Sequence, residues 1–352
     1  MRPLSGDRPG HPVATALILL LLIGLLVLPF ALPGARAMGT GSRIAIFVVL
    51  AASYDMLLGY TGIVSFAHTM FFSIGAYAVA IPLARGVGGW EAIILGAVGG
   101  ALLAAGISAA IALLSLRVRA IFFSMVTLAA ASLAQLLASQ MRDLTGGEDG
   151  LTFALPPALT QSFRLLADPV LGARIDGRMI VYYLILAVAV ALFLAMLRIV
   201  NSPFGRVLQA IRENAFRAEA LGYRVVSYRT LASALAAGFA ALAGALLAIQ
   251  LRYVGPEATL SFDIMIDILL MVVIGGMGTL FGPALGAALI VMSQTYLQQA
   301  LQAVPQPLRD IPVLGALLAP ERWLLWLGVL FVAIVYAFPA GIVGTLRKRR
   351  HL

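Results

Sequence analysis

Stretches of 18 or more apolar residues, almost free of charge, recur along the whole chain, and each is long enough to cross a bilayer core of roughly 30 Å. In hydrocarbon every backbone N–H and C=O must be satisfied inside the crossing segment, so runs of this length fold as helices. Ten spans are placed at about 13–32, 44–59, 63–84, 90–116, 120–139, 179–199, 230–250, 263–281, 283–303 and 322–343. The expected fold is all-α: a polytopic integral membrane protein of about ten transmembrane helices, with eight as the lower bound. No segment between spans is long enough to hold a second soluble core, so residues 1–352 read as a single membrane domain. Arg2 and Arg8 precede the first apolar run and Ala35-Arg36-Ala37 has the form of a cleavage site. The run from Val13 to Leu32 exceeds a signal-peptide core, which favours a retained span; cleavage leaves the later topology unchanged.

Composition agrees: 62% of the residues are apolar and 11% charged, against about 25% charged in a soluble domain. The net charge of +9 is spread between apolar spans with no basic stripe, which argues against nucleic acid as a partner. There is no cysteine, so disulfides, thiolate ligands and a cysteine nucleophile are excluded. An even number of spans puts both termini on one side. If that side is the cytoplasm it carries 14 basic residues, among them six arginines from Arg198 to Arg229 and the Arg347–Arg350 tail, against ten opposite. The excess of basic residues marks the cytoplasmic face. The 140–178 loop is then periplasmic and the 200–229 loop cytoplasmic.

Within 263–303, Gly275-Gly276-Met277-Gly278 and Gly282-Pro283 interrupt the apolar run. They read as a tight turn between two spans; a re-entrant half-helix lining a cavity is the alternative. Small residues recur every four positions at Gly96, Gly100, Ala104 and Ser108, and again at Ala236, Ala240, Gly244 and Ala248. Such stripes let helix backbones approach closely. The first is read as packing within the chain, the second as packing either within it or against a partner.

The arginine-rich loop opens with Ser202-Pro203, a good helix start. Phe204, Val207, Leu208 and Ile211 follow on one face, with Arg206, Gln209, Arg212 and Glu213 on the other. A second short helix fits Ala215 to Leu221, stopped by Gly222. Such an amphipathic piece either docks in a partner's groove or lies on anionic lipid.

Ionisable residues inside spans are costly and are candidates for a solute path. Asp55, Asp263, Asp267 and His68 qualify, with Ser65, Thr69 and Tyr77 nearby in sequence. They read either as a polar cavity or as hydrogen bonds that fix packing; Asp263 is placed at the interface. The acids of Thr145–Gly150 lack the alternating spacing of a calcium loop and read as a turn. The only lysine, Lys348, stands in no phosphate-binding glycine loop, and no zinc-protease or nucleophile-elbow motif occurs. The chain thus offers no catalytic residue, metal site or cofactor site of its own.

Three segments resemble one family. They are Gly59-Tyr60-Thr61-Gly62-Ile63-Val64-Ser65-Phe66-Ala67-His68 running on to Ile74-Gly75-Ala76-Tyr77; Arg212-Glu213-Asn214 with Ala218-Glu219-Ala220-Leu221-Gly222; and Gly275-Gly276-Met277-Gly278-Thr279-Leu280-Phe281-Gly282-Pro283. In this order and spacing they resemble the branched-chain amino acid permeases of ATP-binding cassette importers (LivM/LivH type), with the length and long external loop of the M type. The resemblance implies a bacterial inner-membrane subunit that works with a second permease, two ATP-binding cassette subunits and a periplasmic binding protein. It implies that Phe204, Arg212, Glu213, Glu219 and Gly222 belong to the loop that docks on the ATPase. Asp55, Ser65, His68, Tyr77 and Asp267 are the candidates for the solute path. Gly59, Gly62, Gly75, Gly275, Gly276, Gly278 and Gly282 form the glycine motifs. Asp55 stands where asparagine is often found, and urea and short-chain amide permeases share the same signatures. An ion-coupled carrier or channel working without ATPase subunits is the alternative of a different class.

Overall fold

The structure, a computed structural model, describes residues 12–32, 34–115, 120–160, 162–163, 176–304, 317 and 319–348. Arg2, Arg8, Arg117, Arg119 and the side chains from Arg347 onward, which were counted among the basic residues of the topology argument, lie outside the described residues. The helices in chain order are α1 (Pro12–Ala31), α2 (Ala35–Thr61), α3 (His68–Ala84), α4 (Trp90–Ser115), α5 (Ala120–Gln140) and the short α6 (Arg142–Thr145). Then come α7 (Gly177–Val200), α8 (Pro203–Glu213), α9 (Ala215–Ala220), α10 (Val225–Leu251), the short α11 (Pro256–Thr259), α12 (Phe262–Gly275), α13 (Phe281–Gln302), α14 (Trp323–Ala337) and α15 (Gly341–Lys348).

Among the described residues eight helical stretches are long and apolar enough to cross a membrane, with α11–α12 and α14–α15 each counted as one. The remaining two of the ten expected spans are α3, apolar but only 17 residues long, and α13, which runs 22 residues and carries Gln294, Gln298, Gln299 and Gln302 in its second half.

Two differences from the sequence reading bear on the site. The helix expected at 44–59 begins at Ala35, so Arg36 and Arg43, counted with a loop, ride on a helix. Gly39, Gly41 and Ser42 resemble turn residues, but in a membrane helix small residues serve close packing. The span expected at 63–84 is broken: Gly62 ends α2 in the left-handed region (φ 73°), residues 62–67 are not helical, and α3 starts at His68. Irregular backbone at this depth needs protein partners, and it has them. The Phe66 N–H donates to Thr127 Oγ1 at 3.0 Å, and Ser124 Oγ donates to the Val64 carbonyl at 2.8 Å.

The long helix α2 is the axis of the bundle, with 89% of its most apolar stretch buried against 17% for α1 and for the α14–α15 stretch. Helices α7, α10, α12 and α13 surround it, α3 packs on α10 and reaches α2 through side chains such as Phe72 and His68, α4 and α5 pack beyond α3 and α10, and α1 and α14 lie on the opposite flank. Both small-residue stripes pack inside the chain. A Cβ on Gly96 would meet the Ala78 carbonyl, and Ser108 bonds to Ser233 at 2.8 Å. A Cβ on Gly244 would sit 1.7 Å from the Phe72 carbonyl oxygen, so α10 meets α3 there, not a partner.

The two ends of the bundle differ. At one end the strand Leu151–Thr152 pairs antiparallel with Tyr253–Val254, Leu151 opposite Val254, tying the segment after α5 to the link after α10. At the other end lie the C-terminus of α2, helices α8 and α9, and the turn between α12 and α13. Helix α15 joins them, with Gly276 against Ala340 and Gly341. The 275–283 segment is thus the hairpin turn of two adjoining helices.

Candidate functional site

The loop that links α7 to α10 is built from its caps. Pro203 occupies the first turn of α8. The Asn214 side chain accepts the Arg217 N–H at 2.9 Å to open α9, and Gly222 (φ 91°) closes it in the left-handed region. The apolar face of α8 is spent within the chain: Leu208 and Ile211 are buried, and Phe204 stacks on Tyr228 at 5.7 Å. That face therefore offers no free stripe to lipid or to a partner's groove. The large apolar side chains of the loop that remain exposed are Phe216 (81%) and Leu221 (72%), flanking the exposed Glu219, and Tyr223; Glu213 is also exposed.

From the last turn of α8, Arg212 Nη1 donates to the Gly59 carbonyl. Gly59 lies in the final turn of α2, where carbonyls lack helical N–H donors and the helix dipole is negative. A guanidinium suits that position on both counts. One turn earlier on α2, the buried Asp55 carboxylate accepts the Gly278 N–H at 3.0 and 3.2 Å. The glycines make this possible. A Cβ on Gly59 would lie 2.0 Å from Asp55 Oδ1 and 2.5 Å from the Gly278 nitrogen. Gly278 holds φ 83°, and a Cβ there would come within 2.9 Å of Arg212 Nη1. Gly275 and Gly282 pack backbone to backbone at the base of the same turn, and Gly62 faces the Arg212 stem. Three sequence segments far apart in the chain thus converge on one junction.

Two turns up α2 from Thr61, Ser53 and His68 form a second, fully buried pair, with His68 Nε2 to Ser53 Oγ at 2.8 Å. Ser53 Oγ also donates to the Leu50 carbonyl at 2.7 Å. The Tyr54 ring lies edge-on to the imidazole at 5.2 Å, and Ser65 Oγ accepts the Ala67 N–H at 3.4 Å. Elsewhere, Asp267 Oδ2 accepts from Gln294 Nε2 at 2.8 Å, and Gly75 lets α3 touch the Ala241 backbone. The Tyr77 hydroxyl is buried with no hydrogen-bond partner among the described residues.

The structure therefore gathers Asp55, Gly59, Gly62, Gly278 and Arg212 at one point, and places Ser65 and His68 above them. Tyr77 and Asp267 stand apart. The sequence reading missed Ser53, Ser124 and Thr127, whose hydroxyls give no periodic signal, and Arg43, which was assigned to a loop. Among the described residues no three His, Cys, Asp or Glu side chains cluster as a metal site would require.

Comparison with known proteins is consistent across the chain. The family model described as branched-chain amino acid transport system / permease component matches residues 37–343. The high-affinity branched-chain amino acid transport system permease protein LivM of Escherichia coli (strain K12) is 28% identical over 319 residues, 84% of this chain and 72% of that protein. LivM of Salmonella typhimurium is 28% identical over 297 residues, 78% and 67% of the two chains. A probable branched-chain amino acid transport permease protein LivM of Methanocaldococcus jannaschii is 30% identical over 163 residues, 46% of this chain and 45% of that protein. No solved structure matches the chain. With a family match over most of its length and the helices to cross a bilayer many times, the chain belongs to the branched-chain amino acid transport permease family and is a multi-pass protein of the bacterial inner membrane.

Proposed function

We propose that the chain is the solute-passing subunit of an ATP-binding cassette importer for branched-chain or related amino acids. It works beside a second permease subunit, two cassette subunits and a periplasmic binding protein. The observation that carries this reading is the Arg212–Gly59 contact: an exposed loop outside the bundle grips the end of the central helix and, through Asp55 and Gly278, the α12–α13 turn. A push on α8–α9 is thereby delivered to three membrane helices at once, which suits alternating access driven from outside the lipid. The exposed Phe216 and Leu221 beside Glu219 supply the apolar and charged contacts for a cassette.

In this reading both termini and the loop between α7 and α10 are cytoplasmic, and the segment paired with Tyr253–Val254 faces the periplasmic binding protein. Residues 1–352 act as one membrane domain. Ser65, His68 and Tyr77 lie along the solute path, and Asp55 acts through the junction.

Reconstituted vesicles test this. Uptake of leucine requires ATP, the cassettes and the binding protein. Replacing Glu219 or Gly222 removes uptake without changing the binding protein's affinity. Transport by the lone chain on an ion gradient overturns the importer reading, and uptake of urea or amides in place of leucine overturns the solute.

A further inference from the structure

Beyond its first turn helix α2 has one exposed position. From Thr40 to Thr61 every residue is buried or half-buried apart from Arg43, which is exposed. Its guanidinium carbon lies 5.4 Å from the centre of the Phe47 ring, and among the described residues it has no hydrogen-bond acceptor. Across from it on α12 stands the half-buried Asp267, within electrostatic reach but not in direct ion-pair contact, with one carboxylate oxygen held by Gln294 of α13. All three residues are interior to their helices: Arg43 is the ninth residue of α2, Asp267 the sixth of α12 and Gln294 the fourteenth of α13. An exposed guanidinium and a half-buried carboxylate inside apolar helices do not face lipid, because a charge there costs several kcal/mol or more unless water or protein meets it.

We infer that Arg43 and Asp267, steadied by Gln294, form a subsite for a free amino-acid zwitterion on a water-filled passage through the membrane. The guanidinium presents a planar fork to the solute's carboxylate, the geometry in which arginine binds carboxylates best. The Asp267 oxygen not held by Gln294 accepts the solute's ammonium, and the gap between the two charges is the space the solute's backbone fills. The Phe47 ring beneath the guanidinium fixes its position and adds a cation–π contact. A neutral solute such as urea leaves both charges unmatched. The inference rests on the amino-acid reading above and adds the residues that would select such a solute.

The chain has no cysteine, so single thiols can be placed beside the charges without removing them. Ile266→Cys is made in the assembled transporter, and its thiol is expected to react with membrane-impermeant methanethiosulfonates. Leucine is expected to abolish that labelling, while leucinamide, which lacks the carboxylate, and urea leave it unchanged. Adding Arg43→Gln or Asp267→Asn removes the protection. Labelling by lipid-soluble maleimide alone overturns the subsite, as does protection by urea or leucinamide, or protection that survives both charge removals. Leucine uptake by the unsubstituted transporter is measured in parallel. If uptake is intact and protection absent, the subsite fails and the importer stands; if uptake of leucine is absent, the importer reading itself fails.

Discussion

Arg212 and Gly59, 153 residues apart in the chain, are joined by a hydrogen bond from the guanidinium to the backbone carbonyl. The bond runs from a loop outside the bundle to the last turn of its most buried helix. One turn earlier on the same helix, Asp55 accepts the Gly278 N–H of the α12–α13 turn.

Removing the grip should separate ATP turnover from uptake. Arg212→Ala is expected to assemble, bind cassettes and hydrolyse ATP while losing most uptake. Arg212→Lys, a point charge without the planar fork, should keep part of it. ATPase rate and leucine uptake measured on the same vesicles give the ratio; an unchanged ratio for Arg212→Ala would show that the contact does not couple.

Gly59→Ala adds a methyl carbon where the Asp55 carboxylate and the Gly278 nitrogen already sit within 2.5 Å. Overpacking of this kind costs on the order of 1–3 kcal/mol. The expected result is a lower melting temperature in detergent and loss of uptake, whereas Gly24→Ala, with nothing near its Cβ position, should be neutral.

Asp55 acts in the structure as a hydrogen-bond acceptor for Gly278. Asp55→Asn keeps an acceptor oxygen and should retain assembly and most uptake. Asp55→Leu leaves the Gly278 N–H without its acceptor, a loss of about 1–3 kcal/mol. Abolition of uptake by Asp55→Asn in a well-folded protein would instead assign Asp55 to ion or proton binding.

The Ser53–His68 pair has no exposed atom to fall back on water. Ser53→Ala leaves the buried His68 Nε2 without its hydrogen-bond partner and should destabilise by about 1–3 kcal/mol. A double-mutant cycle with His68→Leu should recover part of that loss, since both polar partners are then gone. Thermal melts of the purified subunit read the coupling.

Phe216→Cys gives a single thiol at the most exposed apolar position of the α7–α10 loop. It is expected to label only from the cytoplasmic side and to be shielded by bound cassettes. Labelling from the periplasmic side would invert the topology.

Much of this was legible in the residues. The Phe204, Val207, Leu208 and Ile211 spacing located α8, Asn214 and Gly222 marked its neighbour, and Gly275–Pro283 marked a turn. The break at residues 62–67 was not legible, because Ile63, Val64 and Phe66 read as apolar span whether or not they coil. Their backbone is held by Ser124 and Thr127, and a hydroxyl's partner is set by tertiary distance. The role of the α8 apolar face was equally hidden: the same stripe serves lipid, a partner or the chain itself.

The sequence alone determined a many-span helical membrane protein, because long uncharged apolar runs have few ways to satisfy their backbone in lipid. It also determined which loop stands outside the bundle, since proline, asparagine and glycine caps act locally. Only the tertiary structure decided that Asp55, Gly59, Arg212 and Gly278 share one junction, and that Arg43 rides on the central helix and not in a loop. Those relations depend on which helices adjoin and at what depth, and that is set by backbone approach through small residues, which a linear pattern of hydropathy does not encode.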